Sequence, residues 1–183
     1  MDSKGGGTAI LIHKRYQFKI IESPSNLETI ETTSINMKLA DGRDLILVAI
    51  YAPKQKNSTF SAELSTLFTE LGLESPNKLY LIAGDFNAKH IDWSNNINNE
   101  RDSLLRGWLD SNELAYRIQL HHTASPSFPR GNSYIDLILS DARIQFLNTI
   151  DDKLHTIPFN SDYVAVVTDI HIPILRSTRR VTK

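Results

Sequence analysis

A layered α/β sandwich with largely antiparallel sheets is the fold class predicted by this chain, and three observations predict it. Residues 79–83, Leu-Tyr-Leu-Ile-Ala, form a continuous apolar run of strand length, which indicates a strand covered on both faces. Phe60, Leu64, Leu67, Phe68 and Leu71 fall at helical spacing, and so do Leu104, Leu105, Trp108 and Leu109. Around them lie short segments rich in β-branched residues. Strands interleaved with two helices indicate a sandwich, and neither a bundle nor a pure β barrel.

Taken in order, residues 8–13 and 29–39 read as antiparallel strands, and Asp41-Gly42 is a turn signal. Residues 45–50 form the next strand, completing a hairpin with the preceding one, and this second strand ends at Tyr51-Ala52-Pro53 because proline cannot continue the ladder. The first helix follows, with Ser58 or Thr59 available as its N-cap and Gly72 and Pro76 closing it. After the central strand a polar, asparagine-rich loop spans 87–99, and the second helix has its apolar face at 104–109, flanked by Arg101, Asp102 and Asp110. Ser125-Pro126, Phe128-Pro129 and Gly131-Asn132 mark a loop before a strand at 134–139. Further strands are expected at 144–150 and 164–172.

The bulk properties narrow the function. At 183 residues the chain fits one domain, and its 40% hydrophobic and 22% charged composition is that of a globular protein. No apolar run approaches the roughly 18 residues that span a bilayer, and residues 1–7 lack an apolar signal core, so an intracellular protein is expected. Cysteine is absent, which removes disulfides and thiolate chemistry. Charges nearly cancel, which does not favour nucleic-acid binding by bulk charge. Bases gather instead at Arg176, Arg179, Arg180 and Lys183, read as a solvated C-terminal tail over 174–183.

Chemistry concentrates where the central strand ends. Gly84-Asp85-Phe86-Asn87 places an acid and an amide two residues apart at a strand mouth, where ligands collect in open α/β sheets. A carboxylate holds a hard cation or takes a proton from water, and a carboxamide orients a phosphoryl oxygen or that water. The same residues also suit a simple Asx turn. Asp136 lies between Tyr134-Ile135 and Leu137-Ile138-Leu139; buried, it needs a partner, and otherwise it faces solvent. Asp162, taken alone, reads as a loop acid. His121-His122 on a strand would point to opposite faces, and Trp93 and Trp108 suit packing better than base stacking.

Tyr51-Ala52-Pro53, Gly84-Asp85-Phe86-Asn87, Ser133-Tyr134-Ile135-Asp136-Leu137 and Ser161-Asp162, in that order, resemble the endonuclease/exonuclease/phosphatase superfamily. Gly5-Gly6-Gly7-Thr8-Ala9-Ile10, Asn87-Ala88-Lys89-His90 with Trp93, and Gly131-Asn132-Ser133 look like the endonuclease domain of non-LTR retrotransposons. The resemblance covers residues 5–173. It implies a deoxyribonuclease I-like fold and phosphodiester cleavage in DNA, assisted by Mg²⁺ or Mn²⁺, with a nuclear location following from that substrate. It assigns Asp85 to the attacking water, Asn87 to the water and phosphate, Tyr51 to a phosphate oxygen and Asp162 to the metal, and it pairs Asp136 with a histidine.

Two departures bear on activity. Tyr163 stands where that histidine is expected, and a phenol, with a pKa near 10, does not present a cation to a phosphate. The glutamate that binds metal in the family, with the strand and helix carrying it, would precede the glycine-rich stretch, so the fold is expected to lack its first strand and helix. Those losses lead to an expectation of impaired catalysis and of an exposed sheet edge open to self-association. The alternatives are an inactive relative acting as a binding module or decaying gene product, and a phosphatase or phosphodiesterase acting on small esters.

Overall fold

A computed structural model describes residues 7–54, 57–147, 149, 152–159 and 161–172. Gly5, Gly6, Pro173 and the basic tail over 174–183 lie outside the described residues. The architecture is centred on a sheet of six strands in the order β1-β2-β3-β4-β6-β5. These are β1 (Lys19–Ile21), β2 (Glu31–Lys38), β3 (Asp44–Tyr51), β4 (Lys78–Asp85), β5 (Ile118–His121) and β6 (Asp136–Asp141). Only β3 and β4 run parallel; the other pairings are antiparallel. The expected sandwich with largely antiparallel sheets is therefore observed.

One face of the sheet is covered by helices α1 (Phe60–Glu70) and α2 (Glu100–Tyr116). Ile46, Val48 and Ile50 from β3, Tyr80 and Ile82 from β4, and Leu137 and Leu139 from β6 pack against Phe60, Leu64, Phe68 and Leu105. Each such buried side chain contributes about 1.5–3 kcal/mol. The helices meet through Phe68, whose ring stands edge-on to Trp108 at 4.7 Å, and through the Trp108 indole N–H, which donates to Ser65 Oγ at 2.8 Å. Both tryptophans are packing residues, Trp93 wholly buried and Trp108 nearly so.

The caps differ from a simple reading. Thr59 is the N-cap of α1, yet its hydroxyl donates to Glu63 in the first turn (2.5 Å). The Glu63 carboxylate also accepts the Thr29 N–H (2.8 and 3.0 Å) and the Ile30 N–H (3.1 Å), tying α1 to the start of β2. Asn99 caps α2 in a reciprocal box with Asp102, so that helix begins before its first apolar residue.

On the opposite face Leu45, Leu47, Leu79 and Leu81 meet Phe146 and Ile170 from a small antiparallel sheet of β7 (Gln145–Leu147) and β10 (Asp169–His171). A second hairpin pairs β8 (His155–Ile157) with β9 (Ala165–Val167). Several expectations are corrected here. Residues 8–13 are not a strand; Ile10 and Ile12 instead pack on this face without joining a ladder. The strand expected at 164–172 is two strands with different partners, because Val167 pairs with His155 and Asp169 with Leu147. The strand expected at 144–150 is described only as Gln145–Leu147. His121, by contrast, is packed as its strand position allows: it lies against Phe146 at 3.9 Å and bonds Ser140 Oγ at 2.9 Å. Part of the face lies open as a cavity of about 470 Å³ lined by Ala9, Leu11, Ala49, Leu81, Val164 and Asp136. Among the described residues β1 and β5 are the outer strands, and Ile20 on β1 is 77% exposed.

The end of β6 is held by charge. Asp141 is fully buried, and its carboxylate accepts from Arg143 Nε (2.8 Å) and Nη2 (2.7 Å) and from Arg117 Nε (3.2 Å). The same arginines donate to carbonyls of Leu73, Glu74, Pro76 and Lys78, pinning the entry to β4. Removing one partner of such a set leaves unpaired buried charge. Asp141→Asn is expected to cost about 3 kcal/mol in urea unfolding; a change near zero would mean that water replaces the carboxylate.

Candidate active site

The parallel pairing of β3 and β4 sets Tyr51 beside Asp85, and the antiparallel pairing of β4 and β6 sets Asp85 beside Asp136. Lateral partners share a face, so three polar side chains line one end of the sheet on the side without helices. Gly84 makes this approach feasible. Its φ is +151°, and a Cβ there would lie 1.9 Å from the Ile50 carbonyl oxygen. Past the acid the backbone remains tied on both sides: Ala52 N–H donates to Asp85 O (2.8 Å), and Phe86 N–H to Ile135 O (3.0 Å).

Asn87 sits in the left-handed region at φ +49°. Its N–H donates to Asp85 Oδ1 (2.8 Å), so the Asx turn is present. Its side chain donates through Nδ2 to Ala52 O (2.9 Å), bracing the end of β3, and its Oδ1 is buried without a partner. Asn99 holds this loop from the α2 cap, donating from Nδ2 to Asn87 O (2.9 Å).

Asp85 and Asp136 face each other with little compensation. Burial pushes the Asp85 carboxyl up, the neighbouring Asp136 adds repulsion, and the Asn87 N–H and Lys54 only partly offset them, leaving it at about 7. Burial also raises Asp136, against a lowering contribution from the Ser127 hydroxyl, and Asp136 Oδ2 is buried with no partner. Tyr163 is 37% exposed and stacks on Phe128 with ring centroids 5.0 Å apart. Its hydroxyl is raised by burial first and then by Asp85 and Asp136, so it belongs to the same electrostatic neighbourhood. No hydrogen bond joins it to Asp136 among the described residues. Asp162 is ion-paired with exposed Arg130 at 3.0 Å.

Tyr51, Asp85, Asn87, Asp136 and Tyr163 are thus gathered at one end of the sheet, with Asp162 on the adjoining rim. Sequence reasoning missed three residues that hold this end together. Arg101 is buried, donates to Pro53 O and Asn57 Oδ1 (2.7 Å each) and lies over the Phe60 ring, bracing the loop after Tyr51. Ser127 is wholly buried beside Asp136, and Asn95 exchanges hydrogen bonds with the Tyr134 backbone at 3.0 Å. The only signal for Arg101 was a charge next to the apolar stripe of α2.

Among the described residues no three His, Cys, Asp or Glu side chains converge on one point. The donors at hand are the carboxylates of Asp85 and Asp136 and the unpartnered amide oxygen of Asn87. Hard oxygen donors and an orphaned carboxylate oxygen fit a cation such as Mg²⁺, which is commonly held by one or two carboxylates and keeps several waters.

Residues 45–167 match the family model described as endonuclease-reverse transcriptase. The chain belongs to the endonuclease-reverse transcriptase family. The matched stretch of this family contains Tyr51, Asp85, Asn87, Asp136 and Tyr163. The RNA-directed DNA polymerase from mobile element jockey of Drosophila funebris is 24% identical over 95% of this chain. This chain spans 18% of that polymerase's length. The endonuclease domain of TRAS1, a telomere-specific non-LTR retrotransposon, shares the fold with a TM-score of 0.60 at 18% identity, over 85% of this chain and 68% of that one. An endonuclease/exonuclease/phosphatase family protein from Bacteroides thetaiotaomicron gives 0.50 at 12% identity, over 84% and 64%. The superfamily and the retrotransposon branch indicated by the sequence motifs are borne out.

The raised acid has a thermodynamic signature. The folded pKa of Asp85 lies above its unfolded value of 3.8, so its contribution favours folding below about pH 4 and is lost as pH rises through about 7. Asp85→Asn removes that penalty. In metal-free buffer the variant is expected to exceed the native chain in stability at pH 8 by on the order of 2 kcal/mol, with the gain shrinking toward pH 5. Urea melts at the two pH values measure this; a constant difference would show that Asp85 ionises normally.

Proposed function

We propose that this chain carries the phosphodiester-cleaving centre of a retrotransposon-type endonuclease and acts on DNA by nicking one strand. The observation that carries this reading is the lateral register of Tyr51, Asp85 and Asp136 on one sheet face, with Asn87 held two residues beyond Asp85. Family membership and the likeness to the jockey polymerase support it.

Asp85, near neutrality in its proton affinity, takes a proton from water at physiological pH. The Asn87 N–H fixes the orientation of that carboxylate. The Tyr51 phenol donates to a phosphate oxygen, and Tyr163 stands where a second donor meets the charge that builds on phosphorus. Asp136, beside Asp85, keeps the proton affinity of the pair high. Asp85 and Asp136, with the Asn87 amide oxygen, would hold a divalent cation, whose chemistry there would be Lewis-acid charge at the phosphate. Action on DNA implies a nuclear place of work.

Two observations favour weak activity. Tyr163 offers a neutral hydroxyl in place of a cationic ring, and Asp162 is engaged by Arg130 on the exposed rim. Loss of one electrostatic donor costs about a hundred-fold in rate.

Incubation of purified protein with supercoiled plasmid and Mg²⁺ or Mn²⁺ tests the reading. Slow nicking that disappears in Asp85→Ala is expected; nicking no greater than that of Asp85→Ala would overturn it. Tyr163→His is expected to raise the rate roughly a hundred-fold. An unchanged rate would mean that this position does not limit catalysis.

A further inference from the structure

Ser127 is wholly buried in the loop that precedes β6, and it touches both sides of the candidate site. Its hydroxyl oxygen accepts the backbone N–H of Ile135 and of Asp136, each at 3.2 Å. Its carbonyl oxygen accepts the Val164 N–H at 3.0 Å, one residue beyond Tyr163. The next residue completes the grip, because the Phe128 ring stacks on Tyr163.

The loop is itself held firmly. Phe128 N–H donates to Ser133 O (3.0 Å) and Ser133 N–H to Phe128 O (3.1 Å), closing it into a hairpin. A Cβ at Gly131 would lie 2.5 Å from the Phe128 ring, so the glycine lets that ring lie flat against its own loop. Ala124 N–H donates to Leu154 O (2.9 Å), anchoring the other end beside β8. Among the described residues no sheet ladder links Tyr163 to Asp136 apart from this loop, because β9 pairs with β8 and not with the six-stranded sheet.

We infer that Ser127 is a positioning residue that fixes Asp136 and the Tyr163–Val164 segment relative to each other. One side chain sets the backbone that aims Asp136, and one carbonyl sets the segment that carries Tyr163. A small hydroxyl is the group this task needs, since it accepts two adjacent amide N–H groups from a wholly buried position. The kinetic arm of the test rests on the hydrolase reading; the exchange arm does not.

Amide hydrogen exchange on the full chain, followed residue by residue, compares native protein with Ser127→Ala and Ser127→Thr. Ser127→Ala is expected to speed exchange about ten-fold at Ile135, Asp136 and Val164, and to leave α1 and α2 unchanged. Its kcat for plasmid nicking is expected to fall ten- to a hundred-fold at constant KM. Ser127→Thr, which keeps the hydroxyl, is expected to restore both. Faster exchange confined to Ile135 and Asp136 would overturn the inference, as would uniformly faster exchange that includes both helices. Native protein that fails to nick would sink the hydrolase reading and leave the exchange data to decide this one.

Discussion

The close approach of β3 and β4 is the constraint on which the rest of the site depends. At Gly84 the two strands come together so tightly that the Ile50 carbonyl occupies the space of a side chain. The parallel register that results puts Tyr51 beside Asp85, and the next ladder puts Asp136 beside both. A slip of one residue would turn Asp85 toward the helices and an apolar residue toward the open face. Ladder hydrogen bonds that continue past Asp85 on both sides prevent such a slip, and Asn87 and Arg101 tie down the loops that follow.

Within that frame one strand holds a buried and a half-buried aspartate treated in opposite ways. Asp141, at the end of β6, is surrounded by two arginines, and although burial opposes it, their hydrogen bonds and charge hold its carboxyl below the ordinary range. Asp136, at the start of the same strand, is left with an unpartnered oxygen and another acid for a neighbour. The first arrangement stabilises the fold. The second costs stability, and acids perturbed by burial and by a like charge cluster at sites that do chemistry. The imbalance is therefore local to the end of the sheet where the motif residues meet.

Much of this end was legible in the sequence because local rules agreed there. An apolar run broken by Gly84 and Asp85 marks a buried strand and its mouth, and the helical stripes of α1 and α2 follow from spacing alone. Asp136 was legible as an anomaly, an acid in an apolar strand. Elements whose stability is tertiary were not legible. Residues 8–13 are apolar enough for a strand but find no ladder, while residues 165–171 divide between two different partners, residues 155–157 and 145–147. Ser127 gave no sign, since its role lies in two hydrogen bonds to a strand that begins nine residues later and one to a segment still further on.

The electrostatics of the assembled site also decide what it demands of a ligand. An anionic phosphodiester brought to Asp85 and Asp136 meets repulsion if both carboxylates are ionised. Among the described residues positive charge nearby is limited: Arg130 is spent on Asp162 in an exposed pair that adds little, Lys54 offsets only part of the burial and repulsion at Asp85, and Arg101, which also feels Asp85, is committed to Pro53 O and Asn57 Oδ1. Tyr163 contributes a dipole where an imidazolium would contribute a full charge. Binding of a phosphate is therefore favoured by a proton retained on the acid pair or by a cation held between acids and ligand. The first choice keeps the site quiet, since a protonated Asp85 cannot accept a proton from water. On the proposed reading the second would leave Asp85 ionised for that task, so the same two carboxylates that weaken the fold would tie cleavage to a bound cation.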